Sequence, residues 1–252
     1  MSVVTIVPTR NNPLGVTDSE WRQRVDLAAA HRLLAYFDLA SLDQGLLAQR
    51  CLDQPEQFLL APAGHFHEEL RASDLLRADT AGRVLSSSDH LPEPGNAAFV
   101  RALLAARPAV GAVVLLPSNA ALTLAMMGQR LAAQARHAVG LPFEVYYSHL
   151  PLMAGAQITD KLLEDLDEAP ALLVRDQGIF LVAPTLAEAF LLAQRLDRAC
   201  VLQLAAQQVG LPIAQPTQDG DILAPVAKPL HTAQTWPALR RLLDRKSTGY
   251  QD

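Results

Sequence analysis

The chain has 252 residues, 50% of them hydrophobic and 19% charged, and a formal net charge of −5 at pH 7. This apolar content supports a sizeable core, and with no Ser/Gly-rich or charged linker dividing it, the sequence reads as one domain over 1–252. The acidic balance argues against nucleic acid, whose phosphates need a basic patch. Cys51 and Cys200 lack metal or disulfide spacing and read as reduced thiols. The uncharged stretch 108–127 is interrupted by Pro117, Ser118 and Asn119, so no membrane span is expected.

Residues 1–16 are expected to be irregular, with Pro8, Asn11, Asn12, Pro13 and Gly15 as turn formers. Their start lacks the basic residues and long apolar run of a signal peptide, which points to the cytoplasm. Thr17 and Glu20 have capping-box spacing, and Trp21, Val25, Ala28, Leu33 and Leu34 follow at helical period, predicting a helix to Tyr36. Gln57–Ala61 reads as a strand ended by Pro62 and Gly64. Ala72–Leu76 reads as a turn, and Asp79–Gly82 as a hairpin turn before a strand Arg83–Leu85. Asn96 is expected to cap a helix running to Arg107 and ended by Pro108. The run Gly111–Leu116 is a strand buried on both faces, after which Ser118 or Asn119 caps a helix over 120–135. Phe143–Tyr147 is a strand, and Thr159 caps a helix to Asp167. Strands Ala171–Arg175 and Ile179–Val182 flank a break at Asp176, Gln177 and Gly178. A second capping box, Thr185 to Glu188, opens a helix to Gln208 that stops at Gly210. The C-terminal extension, 211–252, holds a last helix Thr235–Asp244 with Pro237 in its first turn. Irregular alternation of strands and helices predicts an α/β fold with a mixed sheet.

Several segments, in order, resemble the class II aldolase/adducin family. They are 33–50, Phe58–Gly64, Ala72–Leu76 with Gly82, Ala105–Val114, Ala171–Phe190 and Trp236–Tyr250. The resemblance implies a three-layer α/β/α sandwich that assembles as a tetramer. In the family, Zn²⁺ on three His polarises a sugar-phosphate substrate and a carboxylate moves the proton. Carried over residue by residue, the ligand positions fall at Leu115, Pro117 and Gln177. The carboxylate position falls at Asn96, or at Glu93 if the loop is realigned, and the phosphate-cradling Asn and Ser fall at Leu46 and Ala48. Leu and Pro offer no donor, and a Gln carbonyl is a poor zinc ligand.

Other residues are candidates to have taken over. His65 and His67 would share one face of a strand and form a ligand pair, beside Glu68 and Glu69, or belong to a solvated turn. His149 at a strand end would serve as a general base or structurally. Arg175 and Asp176 would bind a carbonyl acid or cap a strand, and Ser118–Asn119 would hold an anion or cap a helix. Two readings stand. One is a catalytically degenerate, metal-free, cofactor-free homo-oligomer that binds a small molecule or protein partner. The other is a repurposed metal-independent lyase or isomerase acting on a small carbonyl or hydroxy acid. It would use Asn96, His149, Asp176 and Gln177 over a cleft of Leu115, Pro117, Ser118, Asn119, Arg175 and Gly178.

Overall fold

The computed structural model describes residues 12–86, 88–141, 143–149, 151–154, 157–210 and 229–252. Most of the expected irregular start and residues 211–228 of the C-terminal extension lie outside them. The described strands are β1 (Leu46–Arg50), β2 (Gln57–Leu60), β3 (Leu76–Asp79), β4 (Ala112–Leu116), β5 (Tyr146–Ser148), β6 (Met153–Ala154), β7 (Gln157–Ile158), β8 (Ala171–Val174) and β9 (Gly178–Ala183). The helices are α1 (Asp18–Tyr36), α2 (Pro94–Ala106), α3 (Asn119–Met126), α4 (Ala133–Val139), α5 (Asp160–Glu168), α6 (Leu186–Gln208) and α7 (Thr232–Lys246). Seven strands form a mixed sheet in the order β3-β2-β1-β4-β9-β8-β5, antiparallel throughout except for the β5–β8 pair.

Period-two alternation divides this sheet between two cores. Leu47, Leu59, Val114, Ile179 and Leu181 face α1, α3, α6 and α7. Leu46, Ala48, Phe58, Val113, Phe180 and Val182 face Phe99, Val100, Leu103 and Leu104 of α2. The result is the expected α/β/α sandwich. Among the described residues no helix is long and apolar enough to cross a membrane.

The long periodic helices fall where expected. Thr17 and Thr185 accept the backbone N–H of Glu20 and Glu188, and Gly210 ends α6 at φ +74°. Six expectations need correction. Leu46–Arg50, expected as a loop from its resemblance to the family's phosphate-cradling segment, is a central strand. The β3 strand occupies Leu76–Asp79, while Val84 contributes only a bridge to Ala78. The N-cap of α2 is Glu93, not Asn96, because Pro94 has its φ pre-set for the first helical position. The helix expected over 120–135 breaks at Gly128 (φ +65°), where the chain turns left-handed between α3 and α4. The Phe143 strand begins only at Tyr146. The last helix begins at Thr232, so Pro237 lies inside it and leaves the Ala233 carbonyl without its helical donor.

Candidate functional site

The far end of β4 gathers three segments distant in sequence. Pairing places Leu46 and Phe180 on either side of Leu115. The β8–β9 turn then folds over the strand end, with Asp176 at φ +60° and the Gln177 N–H on the Val174 carbonyl at 3.2 Å. Two glycines permit the approach. A Cβ on Gly178 would lie 2.4 Å from the Leu116 carbonyl oxygen, and one on Gly45 would lie 2.7 Å from that of Leu115. Gln177, some sixty residues further along the chain, therefore shares one small region with Leu115 and Pro117.

The side chains there are poor in donors for a metal. Leu115 packs partly buried against the α2-side core, and Pro117 is half-buried. Gln177 holds its Oε1 buried with no hydrogen-bond partner. Zinc requires nitrogen, thiolate or carboxylate ligands in tetrahedral array, and these three residues do not fit it. Among the described residues no group of three His, Cys, Asp or Glu is placed to hold a metal. Ser118 caps α3 by accepting the Ala121 N–H at 3.2 Å, and Asn119 is an exposed first helical residue. The Ser118 hydroxyl also hydrogen-bonds Asp197, whose carboxyl burial raises above its usual range. Arg175 and Asp176 pair with each other at 3.5 Å on the surface. His149 follows β5 at the same end of the sheet and is exposed.

One strand over, a cavity of about 120 Å³ opens above Gly45 and the 62–64 turn. Its polar lining is His31, Asp43, His65, His67, Glu93 and Asn96. Glu93 accepts the backbone N–H of Asn96 at 2.6 Å as the N-cap of α2, and both residues, the two candidates for the acid/base position, line this cavity. The two histidines of the 65–67 segment separate instead of sharing a face. His65 stacks edge-on against His90, with centroids 4.8 Å apart. His67 is not part of a solvated turn: it is 3% exposed, with its Nδ1 2.8 Å from His31 Nδ1. Because its Nε2–H donates to the Gln44 carbonyl at 2.7 Å, a neutral His67 must accept at Nδ1 from His31 Nδ1–H. His31 Nε2 is then a buried lone pair with no partner. Burial lowers both imidazoles below their usual pKa, His31 well below. Among the described residues, neither Lys nor Arg lines this cavity.

Sequence reasoning missed His31, Asp43 and Asp197. His31 lies amid the apolar residues of α1, where a histidine reads as core. Asp43 lies in a loop whose approach to Glu93 is tertiary. The available signal for Asp197 was its place on the α6 face that meets α3.

Residues 25–204 match the model of the class II aldolase and adducin N-terminal domain. A Caulobacter vibrioides protein named among the class 2 aldolases is 28% identical over 98% of both chains. Human beta-adducin is 25% identical over 77% of this chain and 27% of its own length. Among solved structures, an aldolase II superfamily protein from Pseudomonas syringae superposes with a TM-score of 0.81 at 23% identity, covering 94% of this chain and 98% of that one. The L-fuculose 1-phosphate aldolase of Glaciozyma antarctica superposes with a TM-score of 0.75 at 18% identity, covering 95% and 97%. At these identities the superpositions establish the fold alone.

Proposed function

We propose that this chain, which belongs to the class II aldolase/adducin family, has lost zinc-dependent aldol chemistry and works as a metal-free, homo-oligomeric binding or scaffold module. One observation carries the reading. The positions that resemble the family's three ligands meet at the end of β4, and they present a leucine, a proline and an amide with no partner for its oxygen. Without a Lewis acid there, nothing offsets charge developing on a substrate carbonyl oxygen. Among the described residues neither Lys nor Arg lines the 120 Å³ cavity, which adds support, because a sugar phosphate would meet Asp43 and Glu93 there. Relatives of both kinds fit a divided family: some are named as aldolases and some as adducins.

The test is the metal content of the purified, untagged protein by mass spectrometry, with zinc and manganese supplied during growth. Background metal is expected. Near-stoichiometric zinc would overturn the proposal.

A second reading draws on Glu93 and Asn96, which both line the cavity beside two imidazoles whose pKa burial lowers. In it the cavity catalyses a metal-independent lyase or isomerase step on a small carbonyl or hydroxy acid, with Glu93 moving the proton. Turnover by metal-depleted protein, lost in Glu93→Gln, would favour it over the binding role.

A further inference from the structure

The 120 Å³ cavity concentrates the negative charge of the chain. Stretches 38–47, 60–70 and 88–96 supply its lining residues on β1, on the 62–67 turn and before α2, or flank them. They hold Asp38, Asp43, Glu68, Glu69, Asp89 and Glu93 and neither Lys nor Arg. Those six carboxylates exceed the net charge of −5 of the whole chain, so the remaining residues are close to balance. Arg71, the first cation beyond them, does not line the cavity. Asp43 and Glu93 line it directly, and Glu93 commits Oε2 to the backbone N–H of Asn96. Such a field draws in a cation and turns away phosphate, nucleic acid and anionic lipid.

The mouth is rimmed with apolar side chains. Leu42, Phe66 and Leu91 are 60%, 41% and 67% exposed. Backbone hydrogen bonds fix them there. The Leu42 carbonyl accepts the His67 N–H at 2.8 Å, and the Leu91 carbonyl accepts the Ala63 N–H at 2.9 Å. Asp43, Ala63, His65 and His67 line the cavity, so Leu42, Leu91 and Phe66 each adjoin a lining residue. The backbone of Leu42 is an independent observation. Its φ of +54° lies in the left-handed region, which is costly for leucine, and its side chain joins neither core. Backbone strain that serves no core packing is characteristic of binding and switch regions.

A volume of about 120 Å³ falls short of small-molecule pockets, about 300–1,000 Å³, and suits a single side chain. The apolar rim stands outside that volume, so the occupant extends beyond the cavity. We propose that this face docks a segment of a partner polypeptide that places one Lys or Arg between apolar residues. The cation enters toward Asp43 and Glu93, and its apolar neighbours lie on Leu42, Phe66 and Leu91. This partner chemistry rests on the reading of the chain as a binding module.

Random twelve-residue peptides displayed on phage and selected on the full chain test it, each selected peptide being remade and measured by fluorescence polarisation. Selected peptides are expected to carry a Lys or Arg flanked by Leu, Ile, Val or Phe, and to lose at least tenfold in affinity when that cation becomes Gln. Asp43→Asn is expected to weaken the basic peptide at least tenfold and its Gln version less than twofold, whereas Leu91→Ser weakens both. Asp43 and Leu91 are exposed, so both variants keep the fold, which thermal melts check. Failure to select a peptide, selected peptides without a cation, or binding undiminished by either variant would overturn the proposal. So would a smaller assembly of either variant in sedimentation velocity, which would give this face to a second copy of the chain. Zinc content tests the binding-module reading separately: a metal-free protein that selects no such peptide would lose the partner chemistry alone.

Discussion

Two imidazoles facing each other at 2.8 Å inside the protein cannot both take a proton without placing like charges in contact. Both folded pKa values lie below the ordinary histidine value of 6.5, first through burial and, for His31, also through its partner. As pH falls through about 6.5 the unfolded chain therefore binds protons that the folded one refuses. Stability is whole above that pH and is lost below it, by up to about 1.4 kcal/mol per pH unit for each proton of difference. Urea midpoints at pH 7.5 and 5.0 check this. The midpoint is expected to drop at pH 5.0, and by less in His31→Phe. Equal midpoints would mean the pair protonates as readily folded as unfolded. Glu20 illustrates the same scale. Its position in a capping box was readable, yet its carboxylate turns inward to Arg24 at 2.7 Å and to Arg77, which belongs to a strand the sequence reading had not placed.

Among the elements, the β8–β9 hairpin depends on one residue. Gly178 has φ +83° and its missing side chain leaves the space taken by the Leu116 carbonyl. Gly178→Ala combines a left-handed conformation with a backbone collision, and a loss of about 2 kcal/mol or more is expected. Gly15→Ala, also at positive φ but with nothing within 4 Å, supplies the contrast, at about 1 kcal/mol. Thermal melts of the two variants compare them, and equal losses would contradict the close-packed hairpin. Helices α1 and α6 were legible because period and caps agree over long runs. Strand β1 was not, because five residues flanked by Gly45 and Cys51 carry no turn signal and face cores on both sides. The split between α3 and α4 hung on Gly128, which by itself is tolerated in a helix. Near the candidate site, Pro94 outranked Asn96 as the marker of where α2 begins.

For the whole molecule, the surface leaves large apolar side chains in water. Met126 is 78% exposed at the end of α3, and Val201 and Leu202 are exposed on α6, against which α3 packs. In the proposed homo-oligomer these side chains are candidates for the contact between copies. Combined with the oligomer implied by family resemblance, they predict a tetramer with four times the 27.2 kDa of one chain. Sedimentation velocity checks the mass. A monomer at micromolar concentration would contradict it, and Met126→Glu is expected to shift the assembly toward smaller species.

The sequence by itself determined the layered α/β architecture, because hydrophobic period, capping residues and helix stops are local properties of the chain. It also set what Leu115, Pro117 and Gln177 cannot supply, since a side chain's donors depend on its identity alone. Tertiary structure decided the rest. It turned His67 inward to His31 and closed Asp26, Gln49 and the start of α6 around one cavity. Those meetings join residues tens to well over a hundred positions apart, and strand pairing and helix packing, not local propensity, fix them.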